Sequence, residues 1–347
     1  MLWYWLMFIM VAWIALSPGR LPTKQQPLAW LLISSLFIFF IGLRHEVGAD
    51  WLSYLGHFET ASTLSFTEAL KRGDPGHYGL NNLIARLGGN IYWVNLIYAA
   101  IVMWGTTTFC RKQPRPWLAL LVATPYMLIV VGMGYSRQAV ALGFCLVGLV
   151  ALADNKIRKF ILMVTLGALF HKSAVLLLPI AALAASRNRI LTASLVAVTF
   201  SVLYLLLVSD DSDHLWNQYV ELERHSQGAK IRVLMNSIPA AIFMIFSRKL
   251  TSNPQEKMLW TWISIMSLAC IPLVGFATTA VDRVALYFIP IQIFVFSRIP
   301  LLANQNKQLR TLLVVSIVAY YAATLFVWLN FSTHSEYWVP YESNSPL

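Results

Sequence analysis

The feature that most limits what this chain can become is a series of twelve apolar runs joined mostly by short polar connections. They fall at about residues 2–16, 28–43, 91–109, 117–134, 136–153, 157–170, 172–185, 190–208, 231–247, 257–275, 283–298 and 309–329. Most approach the roughly 20 residues that an apolar helix needs to cross a bilayer. Runs of that length predict a helical bundle rather than a barrel. Composition agrees: 58% of the 347 residues are hydrophobic and 12% charged, against about half and a quarter in soluble domains. The expected fold is all-α, a polytopic transmembrane helical bundle of about 11–12 segments in one integral membrane domain, residues 1–347. The apolar start, Met1 to Leu16, lacks a basic leader and a small-residue cleavage site, so it reads as a retained helix rather than a signal peptide.

The connections sort by charge. One set, 17–27, 110–116, 154–159, 186–189, 248–257 and 298–310, holds 16 of the 26 Lys and Arg and only two acids, Asp154 and Glu256. By the positive-inside rule this set is cytoplasmic. The other set then faces outward, including a large loop over 44–90 and a second over 209–230, periplasmic if the envelope has two membranes. The net charge of +11 therefore reports topology and does not call for nucleic acid. Cys110, Cys145 and Cys270 lie in or beside apolar runs, so neither a disulfide framework nor a metal quartet is implied.

One stretch breaks the alternation. Basic residues flank both ends of 157–185, yet each half is short for a crossing, with His171-Lys172-Ser173 between them. A re-entrant pair of short helices, two thin crossings or one long helix would each account for it. A break inside a membrane is tolerated only within protein or beside a water-filled cavity.

Chemistry-bearing residues gather at the outward ends of the runs. Arg44-His45-Glu46-Val47-Gly48-Ala49-Asp50-Trp51-Leu52-Ser53-Tyr54 follows directly on an apolar run, and ionisable clusters at such a boundary mark functional sites. Further along, Phe66 to Arg72 suggests a short surface helix capped by Thr67. Gly73 to Asn82, with Pro75 and three glycines, reads as turns rather than helix. Arg137 opens a helix, where free N–H groups and a guanidinium suit phosphate, although an arginine there also snorkels to headgroups. Asp211 and Asp213 are spaced like a metal pair but read better as a solvated acidic loop. Asp282-Arg283 is either an intrahelical ion pair or a further anion site.

Arg44, Arg137, Lys172 and Arg283 are thus four cations expected at one level, with Asp50, Asp74, His77, His171 and Asp282. No HExxH, CxxC, P-loop or Gly-x-Ser-x-Gly is present. Cations beside a candidate base suit a lipid-linked phosphate or diphosphate donor: arginine binds phosphate oxygens bidentately and stabilises a leaving group. His171 or Asp50 would take the proton of an attacking hydroxyl. Trp51, Tyr54 and Tyr78 offer rings for sugars.

Five blocks in order resemble the EpsG-like polysaccharide polymerase family, relatives of the Wzy O-antigen polymerases. They are Arg44-x3-Gly48-x-Asp50-x3-Tyr54; Asp74-Pro75-Gly76-x-Tyr78-x-Leu80-Asn81, with His77 as an insertion; Arg137-Gln138-x-Val140-Ala141; Phe170-His171-Lys172-Ser173-Ala174; and Asp282-Arg283 with Tyr287. The resemblance covers about residues 40–290. It implies a GT-C-like glycosyltransferase of the bacterial inner membrane. Such an enzyme joins repeat units carried on undecaprenyl pyrophosphate at the periplasmic face, with no metal or other cofactor. The partners it implies are lipid-linked oligosaccharides and a chain-length regulator. In this reading Arg44, Arg137 and Arg283 bind the diphosphate, His171 activates the acceptor and Asp50 orients it or takes that role. Gly48, Tyr54, Asp74, His77, Tyr78, Asn81, Gln138, Lys172, Asp282 and Tyr287 line the substrate. Two other readings stay open: a flippase or transporter of an anionic glycolipid, and a membrane acyltransferase with His171 as base.

Overall fold

The computed structural model describes residues 1–17, 25–184, 189–207 and 228–343. The acidic pair Asp211 and Asp213 and nearly all of the 209–230 loop lie outside the described residues. Each of the twelve apolar runs forms helix over most of its described length. Among the described residues six helices are long and apolar enough to span a membrane: Ile91–Arg111, Pro116–Gly134, Ser136–Ala153, Ile190–Leu207, Ala229–Leu250 and Lys307–Phe331. The bent pair Thr278–Phe288 and Pro290–Ala303, which turns by 43°, makes a seventh if it is one span. Leu2–Leu16, Gln26–Gly42 and Lys172–Ala184 are apolar but shorter. The chain is an all-α polytopic membrane protein.

The helix ends at Phe170, His171 is non-helical, and Lys172–Leu177 continues as a 3-10 turn into Leu178–Ala184. That observation removes the single long helix and leaves a break at the position expected.

The chain packs as two compact units. The first holds Met1–Phe144, Leu169–His171 and Val314–Leu347. It begins with α1 (Leu2–Leu16) and α2 (Gln26–Gly42), then a two-residue strand β1 (Arg44–His45). Three short helices follow: α3 (Trp51–Thr63), α4 (Phe66–Lys71) and α5 (Pro75–Arg86). Next come α6 (Ile91–Arg111), α7 (Pro116–Ala123) and the start of α8 (Ser136–Ala153). Small residues set the helix spacing, because apolar helices in lipid associate by close packing. A Cβ at Gly42 would fall 2.8 Å from Leu96 Cα, and one at Gly105 would run into the Gly143 carbonyl. Between α7 and α8 the turns widen into a π-helix, Thr124–Val131, where Pro125 cannot supply the N–H that an α-turn needs.

Two local expectations fail within 44–90. Residues 75–86 are helical, not turns. Asp74 and Pro75 start the helix at N-cap and N1, and its glycines serve close packing. A Cβ at Gly76 would meet the Leu169 carbonyl at 3.0 Å, and one at Gly79 would meet Leu70 Cδ2 at 2.8 Å. The short helix before it is capped by Ser65, whose hydroxyl accepts from Glu68 N while Glu68 Oε2 accepts from Ser65 N. Thr67 lies inside that helix.

The C-terminal tail closes the first unit. A strand β2 (Glu342–Ser343) pairs antiparallel with β1. Gly48 N donates to the Tyr337 carbonyl at 2.8 Å, Tyr4 Oη to the Trp338 carbonyl at 2.6 Å and Tyr341 Oη to the Phe40 carbonyl at 2.8 Å. Trp338 is buried; its indole donates to the Ile129 carbonyl and packs against Gly134.

The second unit, Cys145–Ala168 and Lys172–Leu313, is built on the hairpin of Ala229–Leu250 and Pro254–Leu273. Polar ties knit it internally. Gln255 Nε2 donates to the carbonyls of Ala184 and Leu152, and Arg298 donates to Glu256 at 3.0 Å. Gln292 donates to Asn236 Oδ1, and Asn236 in turn donates to the Ala285 carbonyl.

Candidate functional site

Two arginines from the expected clamp belong to the first unit, and their surroundings differ. Arg44 is 1% exposed. Its Nη1 donates to the Ile41 carbonyl at 2.6 Å, its Nε to the Val47 carbonyl at 3.3 Å, and its Nη2 to Ser136 Oγ at 2.7 Å and Asn95 Oδ1 at 3.4 Å. Trp51 covers the guanidinium from 5.9 Å. Burial brings its pKa down to about 10, still high enough to keep the charge at neutral pH. Arg44 thus spends its fork on the end of α2, on the Val47 turn and on the first residue of α8. Gly48, at φ +106°, carries the chain past Met133, whose carbonyl a Cβ would meet at 2.5 Å. The stretch that opens with Arg44 is a joint between segments distant in sequence.

Arg137 stands one residue into α8 and is built differently. Its Nη1 donates to Asp74 Oδ2 at 2.8 Å. Its side chain remains 29% exposed, against 6% for Asp74. It lies over the Tyr54 ring at 5.9 Å, and the Tyr54 hydroxyl takes hydrogen bonds from it. Its Nε is buried and has no hydrogen-bond partner among the described residues. A buried donor without an acceptor costs about 1–3 kcal/mol unless a ligand meets it.

Around this arginine lies a group of rings from α3, α5 and α6. His77 Nδ1 is 2.6 Å from Tyr98 Oη, and His77 Nε2 is 3.2 Å from His57 Nδ1. His77 is buried and His57 half-buried. Burial, then the Arg137 charge, then His57 hold the His77 imidazole well below its usual range. Burial, Arg137 and Arg72 lower His57 in the same direction. Burial raises the Tyr54 phenol, with Arg137 opposing. Asn81 Nδ2 donates to the His77 carbonyl at 2.7 Å. The site presents a guanidinium with spare donor capacity beside histidines that stay neutral, which suits an anion.

The other candidate residues divide between the units. Asp50 is half-buried at the N-cap of α3, one turn before Tyr54. Gln138 is buried next to Arg137. His171 is half-buried at the helix end, and the ring of the preceding Phe170 packs on Tyr98 at 5.8 Å. Lys172, Asp282, Arg283 and Tyr287 belong to the second unit. There Asp282 takes Arg232 bidentately at 2.7 and 2.6 Å. Ser173 Oγ donates to Tyr287 Oη at 3.2 Å. The rings expected to stack on sugar are packed on protein. Trp51 lies against His45 and Tyr92, Tyr54 against His57 and His77, and Tyr78 against His57 and Arg72.

His57 and Tyr98 were not singled out from the sequence. His57 did carry a signal: Asp50, Tyr54 and His57 follow the i, i+4, i+7 spacing of one helix face. Tyr98 lies inside an apolar run and carried none. Among the described residues no group of three or more His, Cys, Asp or Glu is placed to hold a metal ion.

A family model described as the EpsG family matches residues 28–343, a span that takes in the Arg44 joint, the Arg137 site and the C-terminal tail. No curated protein matches the chain, and no solved structure does. The ordered blocks from Arg44 to Tyr287 and a match over nearly the whole length agree: the chain belongs to the EpsG family, a family of Wzy-like polysaccharide polymerases.

Proposed function

We propose that the protein lengthens a polysaccharide by joining repeat units carried on undecaprenyl pyrophosphate, at the periplasmic face of the bacterial inner membrane. The single observation that supports this reading is the state of Arg137. It is anchored through one nitrogen to Asp74, partly open, and has a buried Nε–H with no acceptor among the described residues. A diphosphate oxygen fits that donor set, because guanidinium binds such oxygens strongly and specifically. In the transfer, the acceptor hydroxyl oxygen bonds to the anomeric carbon of the growing chain. The bond from that carbon to the diphosphate breaks, and its electron pair leaves with the lipid diphosphate. Arg137 offsets the charge gathering there. His171 takes the hydroxyl proton, with Asp50 orienting the acceptor. Arg44 supports the site by holding α2, the Val47 turn and the start of α8 together.

The test is Arg137→Lys expressed in the native host. Lysine keeps the charge opposite Asp74 but loses the fork. The protein is expected in the membrane at normal amount, with surface polysaccharide shifted to single repeat units. Normal chain length would overturn the reading. Surface polysaccharide missing altogether, with units held on the cytoplasmic side, would instead favour a flippase.

A further inference from the structure

The chain of rings behind Arg137 has a direction, and one amide sets it. Asn81 Nδ2 donates to the His77 carbonyl at 2.7 Å, which fixes the amide with its nitrogen also toward His77 Nδ1 at 3.3 Å. An amide nitrogen cannot accept, so His77 Nδ1 is an acceptor. It receives the Tyr98 hydroxyl proton at 2.6 Å. The proton of His77 is then on Nε2 and points at His57 Nδ1, 3.2 Å away. His57 Nδ1 therefore accepts, and the proton of His57 is on Nε2, at the half-exposed end of the chain. Tyr98 and His77 fix the tautomer of His57, as the hydrogen bond on one imidazole nitrogen decides what the other can do.

The surroundings of His57 carry positive charge on two sides. Arg137 reaches it across Tyr54: the guanidinium is 5.9 Å from the Tyr54 ring, which is 6.1 Å from the His57 ring. Arg72 reaches it across Tyr78: its guanidinium is 5.8 Å from the Tyr78 ring, which is 5.4 Å from the His57 ring. His77 from α5 also packs against it, and burial keeps that ring uncharged at neutral pH. Burial and the two arginines keep His57 below the ordinary imidazole range, so it stays a neutral N–H donor at pH 7, comparable in kind to other neutral imidazoles that polarise an oxygen.

We propose that His57 Nε2–H and Arg72 extend the anion site begun by Arg137, so that a diphosphate is met by donor side chains from α3, the end of α4 and α8. This rests on the lipid-diphosphate reading above and adds two residues to it. In the transfer His57 keeps its proton. It is a donor to phosphate oxygen, not the base.

The experiment uses the full-length protein in detergent micelles with inorganic pyrophosphate as the probe, its affinity measured by calorimetry at fixed ionic strength. His57→Leu removes the donor, His57→Gln keeps an N–H at similar reach, Arg72→Ala removes an exposed charge, and Tyr98→Phe releases the tautomer. His57→Leu and Arg72→Ala are each expected to weaken pyrophosphate by roughly tenfold, the size of one charge-assisted hydrogen bond. His57→Gln should restore most of the loss. Tyr98→Phe should weaken binding and move the His57 imidazole 15N shifts away from a pure Nε2–H tautomer. A His57→Leu protein whose melting temperature falls while its affinity is unchanged would overturn the proposal, since that is what a packing role predicts. If Arg137→Lys loses affinity while His57→Leu and Arg72→Ala retain it, this inference falls and the diphosphate reading stands. If Arg137→Lys also retains it, both fall.

Discussion

Arg44 and Arg137 come from the same kind of sequence position, a cation at the outward end of an apolar run, and the fold uses them in opposite ways. Arg44 is closed in, with its donors given to the carbonyls of Ile41 and Val47 and to Ser136 and Asn95. Arg137 is tied to Asp74 and Tyr54, stays partly open and keeps a buried Nε–H that has no acceptor among the described residues. A guanidinium that satisfies itself on backbone carbonyls acts on the fold, and only one with donors to spare acts on a ligand. Two motif arginines 93 positions apart in the chain thus divide construction from chemistry.

The comparison breaks most visibly at Arg137. Arg137→Lys should cut polymer longer than one repeat unit by about a hundredfold, the scale of losing one preorganised charge donor, on immunoblot-normalised membranes. Arg137→Ala is a poorer probe, because it also leaves the Asp74 carboxylate buried without its cation.

Arg44 should fail as structure. Arg44→Lys cannot reach its four acceptors together, and breaking a buried charged network costs about 3–5 kcal/mol. The expected result is a lower melting temperature and less protein in the membrane. A variant with normal stability and lost polymer would move Arg44 to the chemical side.

The tail tests the same joint from outside. Trp338→Ala should cost about 3 kcal/mol by leaving a cavity against Gly134, read as a drop in melting temperature. Gly48→Ala, at φ +106° and facing the Met133 carbonyl, should cost about 1–3 kcal/mol by the same measurement.

The smallest effect is in pH. His77 is held well below the imidazole value of 6.5 that it has when unfolded. The native state therefore binds fewer protons than the unfolded chain below that value. The stability due to neutral His77 is complete above pH 6.5 and is lost as pH falls toward its lower folded pKa. Melting temperatures of wild type and His77→Gln between pH 7.5 and 5 should converge as the pH drops, since the glutamine cannot titrate.

Much of the fold could be read from apolar run lengths, because lipid leaves a backbone few options. The break at His171 was legible for the same reason: neither half was long enough to be ordinary. The helix at 75–86 was not, since Gly76 and Gly79 signal turns locally while their actual use is contact with Leu169 and Leu70. The tail was opaque because Trp338 and Tyr341 bond partners some two to three hundred residues away. At the site, Arg137, Asp74 and His77 were visible as charged or titratable residues at a boundary. Their sorting into anchor, acceptor and relay was not, since it depends on which hydrogen bonds the fold has already filled. His57 showed only as a helix-face spacing, and Tyr98 not at all.

The most direct measurement is the pyrophosphate affinity of folded Arg137→Lys and Arg44→Lys side by side, with each variant's melting temperature recorded on the same sample. The account predicts a crossed result: Arg137→Lys melts like wild type and binds pyrophosphate roughly tenfold more weakly, while Arg44→Lys melts earlier and its folded fraction binds normally. Equal affinity for wild type and Arg137→Lys would contradict it.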